Sequence, residues 1–410
     1  MKEYLTQSKI NKKTLAVENF SKLTSLAINL NVGSWLEQNC KKQLLSYKAP
    51  AGVVRGYYLV NTLFLLCADG KLYALQGNAF VHKFNCGNTA PTLAKIKING
   101  EEKALVLTPS SAVVLGDTNQ TVSILYGIDA CTYNGRIFVA NENTLYFGKE
   151  FDFANFSVQT GNYNFIKIDQ NDGQILRIFD YDKSLLIVCE KALYKLTISS
   201  DYDYELDRLY DQNLMIEQGS VCTVGGSIIF ISDDKLCVYK NGKVSVIQSI
   251  VDNYQLRAQG LAYSGCGKYF LPVTSKLDNQ NYIYIYDTIN GKECLTEDNC
   301  ILCGEQYFVD KSSNYVGKLT LEKDTNQGGK WISKKLNFNT NDKKSLLSLS
   351  VHLDCDAILL VKGDFGIKQY SLNKGYCKKI LNLYSCDFTL EISFDNGDFK
   401  AKNLRLEYSL

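Results

Sequence analysis

A short strand, a turn, a short strand and another turn recur about every forty residues along most of the chain, and this cadence admits few architectures. One copy runs through Leu63-Phe64-Leu65-Leu66, the turn Asp69-Gly70, the run Leu72-Tyr73-Ala74-Leu75, the turn Gly77-Asn78 and a last run ending at Phe84. Another has Ile228-Ile229-Phe230-Ile231, Asp233-Asp234, Leu236-Cys237-Val238-Tyr239, Asn241-Gly242 and Val244-Ser245-Val246-Ile247. Asp and Asn/Gly turns between β-forming runs make antiparallel meanders, and meanders at this period are the blades of a β-propeller. Units are expected to begin near Val54, Leu93, Ala130, Asn164, Gly219, Gln259 and Asn299, which gives seven blades, with six as the alternative count. Leu65, Val114, Phe138, Ile187 and Phe230 each sit in an apolar strand run and are expected to be buried.

Near Trp331 the pattern changes. Shorter strands follow one another around Trp331-Ile332, Leu346-Leu347, Ile358-Leu359-Leu360, Ile367, Ile380-Leu381, Leu390-Glu391-Ile392 and Leu404-Arg405-Leu406. Such a run, with almost no helical periodicity, predicts a small β-sandwich. The expected division is an N-terminal arm over residues 1–50, a propeller over 51–330 and a C-terminal sandwich over 331–410, all-β throughout. Within the arm, Ser25-Leu26-Ala27-Ile28 predicts a strand, and residues 34–45 predict a short helix or an extended segment.

Composition narrows the function classes. Aromatics at 12%, with 27 Tyr and 19 Phe against 4 Pro, suit pleated surfaces. A net charge of +2 supplies no field for nucleic acid or an anionic membrane, and no basic stripe is visible. No apolar run reaches the roughly eighteen residues of a membrane span. Met1-Lys2-Glu3-Tyr4 lacks the apolar core of a signal peptide, so the chain is expected to start life in a cytoplasm. The fourteen cysteines are then expected to be thiols, with Cys67, Cys189, Cys222 and Cys237 packed as small hydrophobes inside strands.

Residues able to carry chemistry are sparse. The two histidines, His82 and His352, fall in different expected domains and in no nucleophile or metal motif. Cys300 and Cys303 form the one C-x-x-C, with Cys294 upstream, but no second pair at matching spacing completes a zinc site. Asp201, Asp203, Glu205 and Asp207 alternate along one strand face; without a glycine-containing ligand loop, a solvated face is the favoured reading over calcium binding. The Ser-x-Asp-x-Gly-x-x-Trp turn of sialidase propellers is missing, since neither Trp35 nor Trp331 stands in one. Gly225-Gly226 leads into a strand and so opens no phosphate loop. No catalytic, cofactor-binding or metal residue is assigned.

Several stretches in order resemble a known family. They are Tyr133-Asn134-Gly135-Arg136, Asn143-Thr144-Leu145-Tyr146-Phe147-Gly148, Phe151-Asp152-Phe153-Ala154-Asn155-Phe156, Gly173-Gln174-Ile175-Leu176-Arg177 and Gly219-Ser220-Val221-Cys222-Thr223. The closing segment, from Trp331-Ile332-Ser333-Lys334 to Asn403-Leu404-Arg405-Leu406-Glu407-Tyr408, is also similar. Together they resemble the β-propeller structural proteins of tailed bacteriophages and prophages, of the tail hub or nozzle type. The resemblance implies a virion protein assembled in the host cytoplasm, without enzymatic activity or cofactor, in a homo-oligomeric ring among other virion proteins. From the residues alone, a neutral β-meander chain without a catalytic cluster is an assembly or binding module. The alternatives are a propeller glycoside hydrolase and a cytoplasmic interaction scaffold.

Overall fold

The computed structural model describes residues 12–17, 20, 24–32, 36–38, 40–87, 91–108, 111–116, 118–122, 127–149, 164–199, 203–209, 214–247, 249–251, 255–276, 278–305, 307–323 and 328–410. Strands dominate them. Seven four-stranded antiparallel blades form a β-propeller, with first strands Val53–Leu59, Thr92–Ile98, Asp129–Tyr133, Ile175–Tyr181, Cys222–Val224, the split pair Leu256–Ala258 and Tyr263–Gly265, and Cys300–Gly304. These first strands touch one another at six of the seven blade joints, so they are the inner ring. The second strands are pressed between neighbouring blades on both faces, which explains their unbroken apolar runs. Every residue of Ser184–Cys189 and Ser227–Ser232 is buried. Leu65, Val114, Phe138, Ile187 and Phe230 are all in the core.

The turns between strands follow the handedness of the sheet. Asn99/Gly100, Asn134/Gly135 and Asn241/Gly242 each place two consecutive residues at positive φ, as a type I′ hairpin demands. The fourth expected unit is misplaced by the sequence. Phe165–Lys167 is the outer strand of blade three, paired with Thr144–Phe147, and blade four starts at Ile175. The long connection after Gly148 displaces that strand from its hairpin partner and imitates a new unit; residues 151–156 of the family resemblance fall in this connection and outside the described residues.

Near the axis the blades approach so closely that side chains are excluded. A Cβ on Gly265 of blade six would lie 1.6 Å from the Glu305 carbonyl oxygen of blade seven. Gly265→Ala is therefore expected to destabilise the fold by roughly 3 kcal/mol, the upper part of the overpacking range. Gly260→Ala, whose Cβ would meet only Pro272 at 3.5 Å, should change stability by less than about 0.5 kcal/mol. Urea denaturation midpoints of the two variants give the comparison.

Residues 1–50 are not a separate arm where they are described. Cys40–Lys48 pairs antiparallel with Tyr315–Lys323 and is the outer strand of blade seven. The stretch expected as a helix or extended segment is therefore two strands, Leu36–Gln38 and Cys40–Lys48, while Ser34 and Trp35 lie outside the described residues. The physical cause is the backbone: a three-stranded last blade would present a row of unpaired amides and carbonyls. An early segment of the chain satisfies them and closes the ring.

The sandwich is likewise built from both ends of the sequence. One sheet runs Gly366–Leu372, Ala357–Gly363, Thr389–Phe394, Gly329–Ser333 and Thr24–Ile28. The other runs Gly375–Ser385, Lys344–Leu353 and Lys400–Ser409, whose far side takes Lys12–Ala16 along one half and Leu36–Gln38 along the other. Phe20, Ala27, Leu30 and Val32 are buried in one core with Trp331, Leu349, Leu359, Phe388 and Leu406. Ile28 and Val32 also pair with Leu295 and Glu293 on the outer strand of blade six, so the sandwich grows from that edge of the propeller. The expectation that residues 331–410 stand apart as a unit is corrected accordingly.

Candidate interaction surface

The residues singled out for chemistry do not converge. His82 lies on the outer strand of blade one with Nε2 2.9 Å from Asn85 Oδ1. His352 lies in the sandwich with Nε2 3.8 Å from Asp354 Oδ1. Cys300 and Cys303 share the inner strand of blade seven, both buried, and Cys294 is on the outer strand of blade six. Asp203, Glu205 and Asp207 flank or lie on Tyr204–Arg208, the outer strand of blade four, where Glu205 and Asp207 face solvent; Asp201 lies outside the described residues. Among the described residues, no group of three His, Cys, Asp or Glu side chains is arranged to hold a metal ion.

The four strand thiols are buried. Cys67, Cys189, Cys222 and Cys237 are unbridged, and burial pushes Cys67 up to about 11 and Cys189 up to about 12. A thiol held protonated is a poor nucleophile. In native protein these four are expected to resist alkylation while exposed Cys266 reacts, and all should label once denatured. Peptide mass spectrometry without reductant is the check; a linked pair among the four would contradict it.

The charged groups near the axis act between blades. Arg177 Nε donates to Asp129 Oδ2 at 2.9 Å, and the Ile178 amide donates to the same oxygen at 3.0 Å, tying blade four to blade three. Burial is the largest influence and works against the guanidinium charge, but Asp129, Cys222 and Tyr263 together outweigh it and hold Arg177 above its ordinary pKa. Tyr57 OH donates to Pro91 O at 2.8 Å at the joint of blades one and two, and Tyr263 OH donates to Gly56 O at 2.9 Å, linking blade six to blade one past blade seven. A shallow pocket of about 340 Å³ lies against Leu176, Lys191, Met215 and Arg257. Of its two carboxylates, Glu190 accepts from the Gln174 amide at 3.3 Å, and Glu217 is engaged by the Arg257 guanidinium and, at 2.7 Å, by the Ala258 amide.

The sandwich presents a different chemistry. Among the described residues, Gly375–Ser385 is the edge strand of its sheet, paired on one side only with Lys344–Leu353, and a bulge at Leu381–Asn382, with Asn382 at positive φ, interrupts that pairing. Side chains alternate along it, and Tyr376, Lys378, Ile380, Asn382 and Tyr384 point outward. Tyr376 is 69% exposed, Ile380 73% and Tyr384 58%. Behind them stand Ser345, Ser348 and Ser350, each directly opposite Tyr384, Ile380 and Lys378 in turn. On the next strand Glu407 accepts from Ser348 Oγ at 2.7 Å and from Lys378 Nζ at 3.0 Å, and these bonds hold its carboxyl below the usual range. The face is thus a short polar row fixed by hydrogen bonds, bordered by an open strand edge carrying two tyrosines and an isoleucine. The sequence predicts a strand around Ile380-Leu381 but not its position at the edge of the sheet. The signal was there in the alternation of Tyr376, Ile380 and Tyr384 with polar residues.

No family model matches the chain, and no curated protein does. Among solved structures it is similar to BamB from Moraxella catarrhalis, at 10% identity over 86% of this chain and 99% of that one, with a TM-score of 0.40. It is also similar to a quinonprotein alcohol dehydrogenase-like protein from Bacteroides thetaiotaomicron, at 13% identity over 66% and 69%, TM-score 0.40. A third similarity is to the AfRom2 CNH domain, at 10% identity over 69% and 100%, TM-score 0.43.

Proposed function

We propose that this chain is a non-enzymatic assembly protein that works through protein–protein contacts, as a tail or head-to-tail component of a virion. The observation that carries the reading is the edge Gly375–Ser385, open among the described residues, with Tyr376, Ile380 and Tyr384 facing solvent. An unpaired edge with exposed aromatic side chains is a surface made for another β-rich protein unless it is blunted. The residues quoted above for their resemblance to phage propeller proteins supply the finer assignment. Its partners are then other virion proteins and copies of itself, and its place is the particle, reached from the host cytoplasm.

Two of the carboxylates at the blade joints and the pocket favour a non-catalytic reading, because Asp129 and Glu217 are spent on arginines and backbone amides. The test is the protein composition of purified particles from a host carrying the gene, read by mass spectrometry, beside a turnover screen on glycan and ester substrates. Stoichiometric presence in particles with no turnover is the expected result. Absence from particles overturns the virion assignment, and saturable turnover abolished by one Asp or Glu substitution overturns the non-enzymatic one.

A further inference from the structure

We infer that the space about the propeller axis binds a small oxyanion, phosphate or carboxylate, between the guanidiniums of Arg55 and Arg177. This site is independent of the sandwich face. Both arginines lie on first strands, in blades one and four, and each follows a slip in its ladder. In blade one the register passes from Val53 opposite Cys67 to Arg55 opposite Leu66. In blade four it passes from Ile175 opposite Cys189 to Arg177 opposite Val188. Cys67 and Cys189 are the last residues of their second strands, so the two arginines stand at the same height along the axis. Blades one and four are as nearly opposite as a ring of seven allows. A bulge re-aims the side chain beside it, and the same device is used here from both sides of the ring.

The surroundings are enclosed but wet. Arg177 keeps 30% of its side chain accessible to water, although burial is the largest influence on its charge. Arg208, on the outer strand of the same blade, is equally accessible, but there the Asp172 hydrogen bond leads instead. Equal access with unequal desolvation places Arg177 against water held inside the ring. Tyr263 OH, which reaches Gly56 O from blade six, lies close enough to feel both guanidiniums. The two arginines are unequally compensated. Arg177 donates to Asp129 at 2.9 Å. Arg55 meets no carboxylate among the described residues; its neighbours are Tyr57 and Tyr263, and burial opposes its charge. A desolvated guanidinium without a counter-ion is costly. Two guanidiniums and one carboxylate leave a single positive charge, the complement of one bound oxyanion, and planar guanidinium forks grip such oxygens in pairs.

The test uses the full-length chain, titrated with sodium phosphate and with sodium acetate against sodium chloride at matched ionic strength. Calorimetric binding and the melting temperature are read together. One site per chain and a saturable rise in melting temperature are expected with at least one of the two oxyanions and not with chloride. The tighter of the two names the class of ligand. Arg55→Met keeps an apolar stem and should weaken that binding at least about tenfold. Its melting temperature in chloride should stay at or above that of the wild type, because the charge it removes has no carboxylate partner. Arg405→Met removes one positive charge from the exposed surface of the sandwich and should bind like the wild type. No saturable binding of either oxyanion, or binding that Arg55→Met leaves unchanged, overturns the site. Equal weakening by Arg405→Met also overturns it, since the effect is then one of net charge. If Arg55→Met fails to fold, Arg55→Lys decides: it keeps the charge and loses the fork, so weaker binding is expected and unchanged binding overturns the site.

Discussion

A chain that begins at residue 51 is expected not to fold. It lacks the strand Cys40–Lys48 that completes blade seven, and it lacks Phe20, Ala27, Leu30 and Val32 from the sandwich core. Full burial of each large apolar side chain contributes roughly 1.5–3 kcal/mol. Phe20, Leu30 and Val32 alone thus approach the whole stability of an ordinary domain, about 5–15 kcal/mol, before the lost strand hydrogen bonds are counted. The truncated chain should be insoluble or show no cooperative thermal transition. Supplying residues 1–50 as a separate peptide should restore a measurable fraction of folded material. A soluble truncation with native circular dichroism and a sharp transition would show that the early strands are dispensable. By the same logic, removing residues 331–410 should leave a damaged propeller with Phe20 and Leu30 uncovered.

The second large effect is expected at Trp331. Its side chain is fully buried, its indole Nε1 donates to Thr24 Oγ1 at 2.8 Å, and the ring of Phe20 meets it edge-on at 5.4 Å. Thr24 Oγ1 in turn donates to Phe20 O at 2.7 Å. One side chain from residues 331–410 therefore fixes two residues from the other end of the sequence. Trp331→Ala should cost about 3–5 kcal/mol, the range for deleting a large aromatic from a core. Trp331→Phe keeps most of the apolar volume and loses the indole donor, so roughly 1–3 kcal/mol is expected. Chemical denaturation checks both. A cost under about 1 kcal/mol for the alanine variant would mean that the early strands do not rely on this contact.

These two sites also mark what was legible in the sequence. Within one blade the signals are local: apolar runs give strands, and Asn99-Gly100 or Asn241-Gly242 give the turns between them. Burial of Leu65 and Phe230 followed from those runs alone. Contacts between distant segments leave no such trace. Cys40–Lys48 carries the polar residues of an outer strand whichever sheet it joins, so its pairing with Tyr315–Lys323 could not be read from its pattern. Lys344 is a sharper case. It begins a strand as a charged residue would at a surface, yet it is 1% exposed and its ammonium donates to the carbonyls of Asn337, Thr340 and Cys386. The candidate surface was half legible. The alternation along Tyr376–Tyr384 set the outward row, but which side of that strand stays unpaired is a property of the assembled sheet.

The claim that this face works in assembly is tested most directly by competition. The paired substitution Tyr376→Lys with Tyr384→Lys changes two exposed side chains and is expected to leave the melting temperature within a few degrees of wild type. Wild-type and substituted chains, co-expressed at equal levels during particle production, would then be quantified by mass spectrometry in purified particles. Depletion of the substituted chain by about tenfold or more is the predicted result, corresponding to a contact worth roughly 1.4 kcal/mol. Equal incorporation of a folded substituted chain would contradict the account.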